Sequence, residues 1–360
     1  MLLFSRRTTR EVAVKYSIFY SLQAPAQFNV TPQQVYAEAL DQIEHADELG
    51  IHQVWLTEHH FMPDAYCPSP MIAAAAIAGR TRKIRIGQGV VLLPFYGHPL
   101  RLAEDTAVLD VASGGRFELG IGRGYRQHEF DGFGVDIKQR KQMTEEGLAI
   151  LQLAFTGERF SYAGQHYQVS NARLSPLPVQ QPPPIWLGAV TAKARREIAQ
   201  AGHPLLISLI TDVAETQHEF SDHLNALVAC GRKPQDYPRA LIREFYVAQD
   251  NETAWHEVKP YFLHIYRNVY CPPYLAFYDR NADGTRRLVT DPQDDYLASE
   301  RFRQNRHIIG DPDFCVRELR RYRDEVGIDN IILRMQFPGQ PMAQVMKSLE
   351  LLANEVIPRV

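Results

Sequence analysis

The chain has 360 residues, of which 45% are apolar and 22% are charged, and its formal net charge is −3. This composition is typical of a soluble globular protein, and the charge offers neither a basic surface for nucleic acid nor an attraction to a membrane surface. No apolar run is long enough to span a membrane. The four cysteines are scattered and include no CxxC pair, which favours a reduced, cytoplasmic protein.

Strand and helix patterns alternate along nearly the whole chain. Residues 1–13 hold an arginine pair without an adjoining apolar segment and are predicted to be a flexible leader. β-branched and aromatic runs then predict strands at 14–22, 53–57, 84–93, 116–122, 185–189, 205–210, 241–248 and 330–335. Helical spacing predicts helices from the Thr31-Pro32 cap to Gly50 and at 69–81, 100–113, 139–156, 191–201, 213–229, 252–269, 313–325 and 341–355.

Two irregular stretches interrupt this alternation. Residues 158–184 predict a hairpin that turns at Ala163-Gly164, followed by a proline-rich connector. Residues 271–310 begin Cys-Pro-Pro and contain a predicted turn at Asp283-Gly284. The alternation resumes after each stretch, so both are interpreted as insertions within a single domain that spans residues 1–360.

Eight strands, nearly all followed by helices, predict a parallel sheet covered by helices. Eight such units in one chain favour closure into a (β/α)8 TIM barrel, a fold whose active sites lie at the carboxyl ends of the strands. In this barrel Glu58, His59 and His60 come directly after the second strand, in the stretch "VWLTEHHF". They are therefore expected at the mouth of the barrel.

Three interpretations of this polar cluster compete. A metal site is disfavoured, because neighbouring residues that leave a strand diverge and the chain has no His-x-His or His-Glu-x-x-His pattern. A metal-dependent barrel hydrolase is disfavoured for the same reason. The side chains can instead hydrogen-bond to loop backbone, which is the default for Glu58 and His60. A histidine here can also act as an acid or base near neutral pH, and the residues alone leave these last two readings open.

Glycine-rich segments follow the third and fourth strands. Gly87 and Gly89 inside a strand pattern predict a bulge or a close approach by ligand or backbone. The stretch "GIGRGYRQHEF" lacks the spacing of a dinucleotide fingerprint, and no helix is expected to start directly after it. As a phosphate loop it makes sense, because glycines let backbone N–H groups approach closely and Arg123 offers two parallel donors to phosphate oxygens.

The stretches "VWLTEHHF" and "IRIGQGVVLLPFYGHPLRLAEDTAVLDVASGGRFELGIGRG" resemble the bacterial-luciferase-like family of flavin-dependent oxidoreductases. The resemblance runs from the first strand to the last helix and implies the same barrel. It implies that His59 is the active-site histidine, an acid or base beside the flavin ring. It also implies a cis peptide bond at Gly89–Val90 beneath that ring, and a flavin-phosphate role for Arg123.

The resemblance further assigns flavin phosphate to the amino end of the helix that follows the fifth strand. Ala189, Val190 and Thr191 would contribute backbone amides and the Thr191 hydroxyl, although Thr191 is also simply a good helix cap. Phe19 either faces the flavin ring or fills the barrel core. Three residues are placed on the substrate side, with Tyr270 as a further candidate: Glu58, Tyr125 and Glu129. Glu129 has an equal alternative as a structural partner of Arg126.

The function implied is that of a monooxygenase which uses reduced FMN and molecular oxygen to oxygenate a small organic substrate. A separate flavin reductase would supply the reduced FMN, since no nicotinamide fingerprint is visible. A homodimer is expected, with the alanine-rich helix 71–78 as a candidate contact. Two rivals are a deazaflavin-dependent hydride-transfer enzyme on the same barrel and a non-catalytic flavin-binding relative. Neither the substrate nor light emission is predicted.

Overall fold

A computed structural model describes residues 14–189, 191–207, 211–270, 277–280, 285–304 and 306–360. The predicted leader, the Cys-Pro-Pro segment, the turn at Asp283-Gly284 and Val190 lie outside these residues. The described strands are β1 Lys15–Tyr20, β2 Gln53–Leu56, β3 Arg85–Gln88, β4 Val91–Leu92, β5 Phe117–Gly122, β6 Phe160–Ala163, β7 Gln168–Ala172, β8 Ile185–Gly188, β9 Leu205–Ile207, β10 Ala240–Val247, β11 Phe277–Arg280, β12 Arg286–Val289, β13 Ile308–Gly310 and β14 Asn330–Arg334.

The α-helices cover the outside of these strands. Those described are α1 Pro32–Glu48, α2 Pro70–Arg80, α3 Pro99–Ser113, α4 Gln127–Phe133, α5 Arg140–Phe155, α6 Ala192–Ala201, α7 Val213–Ala229, α8 Asn251–His264, α9 Glu300–Arg303, α10 Pro312–Arg321 and α11 Met342–Leu351. Single π-helical segments extend α8, α10 and α11, over Ile265–Tyr270, Tyr322–Val326 and Leu352–Val356. No helix in the described part of the chain is long and apolar enough to cross a membrane.

Eight parallel strands close into a barrel, which confirms the predicted (β/α)8 fold. The strand order around the ring is β1, β2, β3, β5, β8, β9, β10 and β14, and β14 pairs with β1 to complete it. A buried hydrogen bond of 2.7 Å from Ser17 Oγ to Asn330 Oδ1 joins these first and last strands. Strands β2, β5, β10 and β14 are buried along their whole length, as expected for a parallel sheet with both faces covered.

The predicted third strand, 84–93, is interrupted in the structure. It runs as β3 to Gln88, breaks at Gly89 and Val90, and resumes as the two-residue β4 before a turn of 3-10 helix. A Cβ on Gly87 would lie 2.6 Å from the Trp55 ring, so the group that comes close to this glycine is a side chain rather than the predicted ligand or backbone. The break places the Gly89–Val90 peptide at the carboxyl end of the barrel rather than inside a continuous strand.

Two further predictions were wrong in detail. A short helix, α4, begins only four residues after Arg123, where no helix was expected to start directly. The stretch 271–310 holds more regular structure than an insertion loop, because β11 and β12 form an antiparallel pair and β13 pairs with β10. Residues 158–184 contain the predicted hairpin as β6 and β7. Strands β11, β12 and β13 have only three or four residues each, which is too short for an alternating pattern to be recognised in the sequence.

A substitution at Gly120 can test how closely β5 packs against β3 near the mouth of the barrel. A Cβ at this position would lie 1.7 Å from the carbonyl oxygen of Gln88, a backbone atom that cannot move aside without displacing β3. We expect Gly120→Ala to lower the free energy of unfolding by about 1–3 kcal/mol or more. Gly79→Ala is the matched control, because nothing lies within 4 Å of its Cβ position in α2. It should be neutral or stabilise by up to about 1 kcal/mol in denaturant titrations. Equal effects of the two substitutions would contradict this account.

Candidate active site

A cavity of about 490 Å³ opens at the carboxyl ends of the barrel strands. It is lined by nine of the residues proposed from sequence: Phe19, Glu58, His59, Gly89, Val90, Arg123, Tyr125, Ala189 and Thr191. Two larger cavities lie elsewhere, one of about 800 Å³ against α8 and α10 and one of about 740 Å³ at the amino ends of β8 and β9. Neither contains a residue of the sequence-predicted site.

His59, which lines the cavity, forms a buried hydrogen-bonded pair with Glu129, which lies behind it. The strand β2 ends at Leu56 and delivers His59 to the mouth, while Glu129 lies in the first turn of α4. The Nδ1 atom of His59 is 2.8 Å from Glu129 Oε1, and the backbone N–H of His60 donates to the same oxygen at 3.0 Å. Glu129 is fully buried and binds the histidine loop rather than lining the cavity. The predicted alternative was that Glu129 is a structural partner of Arg126, and the charge of Arg126 does act on Glu129 by lowering its pKa.

The charge states of this pair follow from burial and from each other. Burial lowers the pKa of His59, and although the hydrogen bond to Glu129 opposes this shift, the nearby Arg126 charge adds to it. Burial by itself would raise the pKa of Glu129, but the bonds from His59 and His60 outweigh it and the net pKa is lowered. An ionised Glu129 therefore accepts the Nδ1 proton of a neutral His59. The Nε2 lone pair is left facing Tyr125, whose hydroxyl oxygen is 3.4 Å away.

Glu58 and His60 have a structural role. The Nε2 atom of His60 is 2.7 Å from Glu58 Oε1, and the other Glu58 oxygen accepts the backbone N–H of Leu92 at 3.2 Å. Glu58 thereby ties the end of β2 to β4, just after the interrupted strand. Glu58 thus bonds to loop backbone, as its default interpretation stated, although it also reaches the cavity surface, whereas the His60 side chain bonds to the Glu58 side chain instead.

The cavity has an open floor beside the Gly89–Val90 bond. This peptide bond is cis, as the family resemblance implied. Beside it, a Cβ on Gly188 would have Val90 Cγ1, at 3.4 Å, as its one neighbour within 4 Å among the described residues. The absence of a side chain at Gly188 therefore leaves room for a flat group over Val90. Phe19 also lines this part of the cavity and is 3% exposed.

Cationic side chains and a helix amino end gather at the other side of the cavity. Arg123 Nη1 lies 3.0 Å from Glu197 Oε2, and Lys141 Nζ lies 2.8 Å from the other oxygen of the same carboxylate. Thr191 caps α6, its hydroxyl oxygen accepting the N–H of Ala194 at 3.2 Å, so the amino end of α6 faces the same region. Guanidinium, ammonium and helix amino end form a site suited to a phosphate group.

The structure adds lining residues that sequence reasoning missed. Tyr66 is buried with its ring 4.7 Å from that of His59, edge to face. The sequence had pointed to one cationic side chain, Arg123. The cavity is also lined by four others: Lys138, Arg140, Lys141 and Lys193. Lys138, Arg140 and Lys141 lie where the chain enters α5, an element that had been interpreted only as a barrel helix. No local pattern pointed to Tyr66, which stands in an irregular loop.

Comparison with known proteins now identifies the chain. Residues 15–330 match the family described as luciferase-like monooxygenase. The chain belongs to that family. The oxygenase component of flavin-dependent trigonelline monooxygenase from Acinetobacter baylyi is 28% identical over 357 residues, which cover 96% of this chain and 95% of the relative.

Two solved structures resemble this luciferase-like chain over nearly its whole length. The monooxygenase RslO1 from Streptomyces bottropensis superposes with a TM-score of 0.81 at 26% identity, covering 96% of this chain and 99% of that one. The oxygenating constituent of 3,6-diketocamphane monooxygenase from Pseudomonas putida, solved in complex with FMN, has a TM-score of 0.78 at 20% identity, with 97% and 99% covered. The second likeness shows the shared fold. This luciferase-like protein is an oxidoreductase.

The His59–Glu129 pair makes a prediction that needs no substrate. We expect the pKa of His59, followed by NMR of its ring, to lie below the ordinary value of 6.5, because burial disfavours the imidazolium. Glu129→Gln should lower it further, since the carboxylate charge that favours the imidazolium is lost. Below pH 6.5 the unfolded chain then binds a proton that the folded protein does not, so this group's contribution to stability falls as the pH falls.

Glu58→Gln is the matched control for that measurement, because it alters the neighbouring pair with His60 and leaves the Glu129 contact in place. A His59 pKa above 6.5 in the unmodified protein, or one that rises in Glu129→Gln, would show that the charge assignment is wrong.

Proposed function

We propose that this chain is an FMN-dependent monooxygenase that uses reduced FMN and molecular oxygen to oxygenate a small organic substrate. One observation carries the proposal. Three features meet at one cavity: His59 with its buried partner Glu129, the open floor at Gly89–Val90, and the cationic side with the amino end of α6. Each part fits one part of FMN: a proton-transfer group, a flat surface for the ring, and a site for the phosphate.

The residues present fit the phosphate of FMN better than they fit an unphosphorylated flavin. Arg123 and Lys141 supply two charged donors, and the α6 amino end supplies backbone N–H groups with a favourable dipole. We propose that Ala189 and Thr191 contribute to this end through their backbone. Val190, also proposed from sequence, lies outside the described residues. When bound, FMN would supply the electrons that activate oxygen.

His59 is proposed as the acid–base group. Glu129 holds the Nδ1 proton and fixes the tautomer, so Nε2 is the nitrogen that takes up or returns a proton at the cavity surface. The Tyr66 ring packs edge to face against His59, and Phe19 and Leu206 add aromatic and apolar surface to the same cavity. Glu129 touches neither cavity nor substrate and is a positioning residue.

A separate reductase is proposed as the source of reduced FMN. The glycine-rich loop at 120–124 leads into a phosphate site rather than a nicotinamide fingerprint, and the Acinetobacter relative is named as an oxygenase component. A homodimer is also proposed. The exposed faces of α2 and α3 present three apolar side chains to solvent, which favours burial against a second copy: Ile72, Val108 and Val111.

The experiment that tests this function compares two reduced cofactors. The protein is titrated anaerobically with reduced FMN and with a reduced deazaflavin, then mixed with oxygenated buffer while flavin absorbance is followed. We expect tight binding of reduced FMN and an oxidation time course that differs from that of free flavin. His59→Gln should change the time course and its pH dependence while FMN still binds. Preference for the deazaflavin, with no response to oxygen, would instead support hydride transfer; an unchanged time course in His59→Gln would favour a non-catalytic flavin carrier.

The phosphate side predicts a difference between two ligands. Arg123→Met should weaken binding of FMN about ten-fold or more, because a charge-assisted hydrogen bond to phosphate is lost. Riboflavin, which has the same ring and no phosphate, should bind the variant and the unmodified protein equally. Fluorescence titrations give the dissociation constants of FMN and of riboflavin for the variant and for the unmodified protein, and so the change for each ligand. An equal loss for riboflavin would mean that Arg123 supports the ring or the fold instead of the phosphate.

A further inference from the structure

A buried arginine stands behind the substrate side of the cavity. Arg334 is the last residue of β14, at the carboxyl end of the barrel, and it is fully buried. Its guanidinium carbon lies 4.8 Å from the centre of the Phe19 ring and 5.4 Å from that of Tyr270. Both aromatic residues line the cavity, so one aromatic layer separates this charge from the ligand space.

The charge of Arg334 is incompletely neutralised by its surroundings. Its nearest carboxylate oxygen is Oε1 of Glu244, 3.5 Å from Nη1, and the other Glu244 oxygen has no hydrogen-bond donor among the described residues. Burial raises the pKa of Glu244, although the charge of Arg334 opposes the shift. The Nε and Nη1 atoms of Arg334 find no hydrogen-bond acceptor within the described ranges. Interior arginines usually have such partners, so this one is unusual.

The strongest contact of Arg334 is with Tyr270. Nη2 donates to the Tyr270 hydroxyl oxygen at 2.6 Å. A hydroxyl that accepts a hydrogen bond still has its own hydrogen to donate, and donation from a cation makes it a stronger donor. Across the described part of the chain no acceptor is recorded for this O–H. Burial raises the pKa of Tyr270 to about 12 despite the opposing charge of Arg334, so the proton is present at neutral pH.

We propose that Tyr270, polarised by Arg334, is the hydrogen-bond donor that binds a carboxylate of the substrate, and that the substrate is a small aromatic carboxylate. A charged acceptor is favoured over a neutral one, because the positive charge behind the phenol is only partly compensated. The aromatic part of the substrate packs against the rings that share this wall: Phe19, Tyr66 and Tyr125. This deepens the proposed function by naming its substrate class, and it rests on that function.

The test uses benzoate as the probe and benzamide as its neutral counterpart, titrated by calorimetry into the protein with and without FMN. We expect benzoate to bind at least about ten-fold more tightly than benzamide. Tyr270→Phe should abolish that preference while the dissociation constant of FMN stays the same. Tyr266→Phe is the matched control: Tyr266 lies in the same π-helical segment and bonds to Glu244 and His307, yet it does not line the cavity. It should retain the preference.

The outcomes separate this inference from the proposed function. FMN binding together with equal or absent binding of the two probes would overturn the carboxylate assignment and leave the monooxygenase proposal standing. A benzoate preference that disappears in Tyr270→Phe, in a protein that does not bind FMN, would support the anion site and contradict the proposed function. Loss of the preference in both Tyr270→Phe and Tyr266→Phe would mean that the network acts only through packing, which also overturns the assignment. Thermal unfolding of each variant confirms that it is folded.

Discussion

The pairing of β14 with β1 is the interaction on which the rest of the structure depends. It joins residues more than three hundred positions apart. The two strands pair in parallel, starting with Lys15 opposite Asn330, and a buried hydrogen bond links the side chains of Ser17 and Asn330. Because all eight strands are parallel, closure gathers their carboxyl ends at one rim. Phe19 of the first strand and Arg334 of the last are thereby brought into contact beside one small cavity. The site exists only because the ring is closed.

Within that rim, carboxylates connect elements that the barrel alone would leave independent. Glu129 joins α4 to the loop after β2, and Glu58 joins that loop to β4. Each is buried and accepts a hydrogen bond from another segment, so neither is free to reorient without breaking a buried contact. The histidine at the cavity surface is therefore held by the same bonds that hold the loops. The position of the proposed acid–base histidine and the stability of these loops therefore depend on the same contacts.

Sequence reasoning predicted the barrel and most of its mouth, because both depend on local signals. Strand and helix periodicity identified the eight βα units, and the rule that active sites follow the strands placed Glu58, His59 and His60 at the mouth. The family resemblance then selected His59 among them and assigned Arg123 to the phosphate. What it missed depends on contacts between distant positions. The hydrogen bond between His59 and Glu129 spans 70 residues, and that between Arg334 and Tyr270 spans 64. Arg334 is the last residue but one of the predicted strand 330–335, so the same rule, applied to the last strand as well, would have pointed to it.

The contact between Arg123, Lys141 and Glu197 has a consequence for how a ligand enters and leaves. Glu197 is ionised, since bonds from both cations lower its pKa against the effect of burial. The Glu197 carboxylate thus acts as a counter-ion within the site. An anion that binds there must replace this carboxylate at Arg123 and Lys141, because neither cation is unpaired beforehand. The affinity then reflects the difference between two similar sets of contacts. Such an exchange lets the anion depart without leaving the cations unpaired, a property suited to a cofactor that is passed from one protein to another.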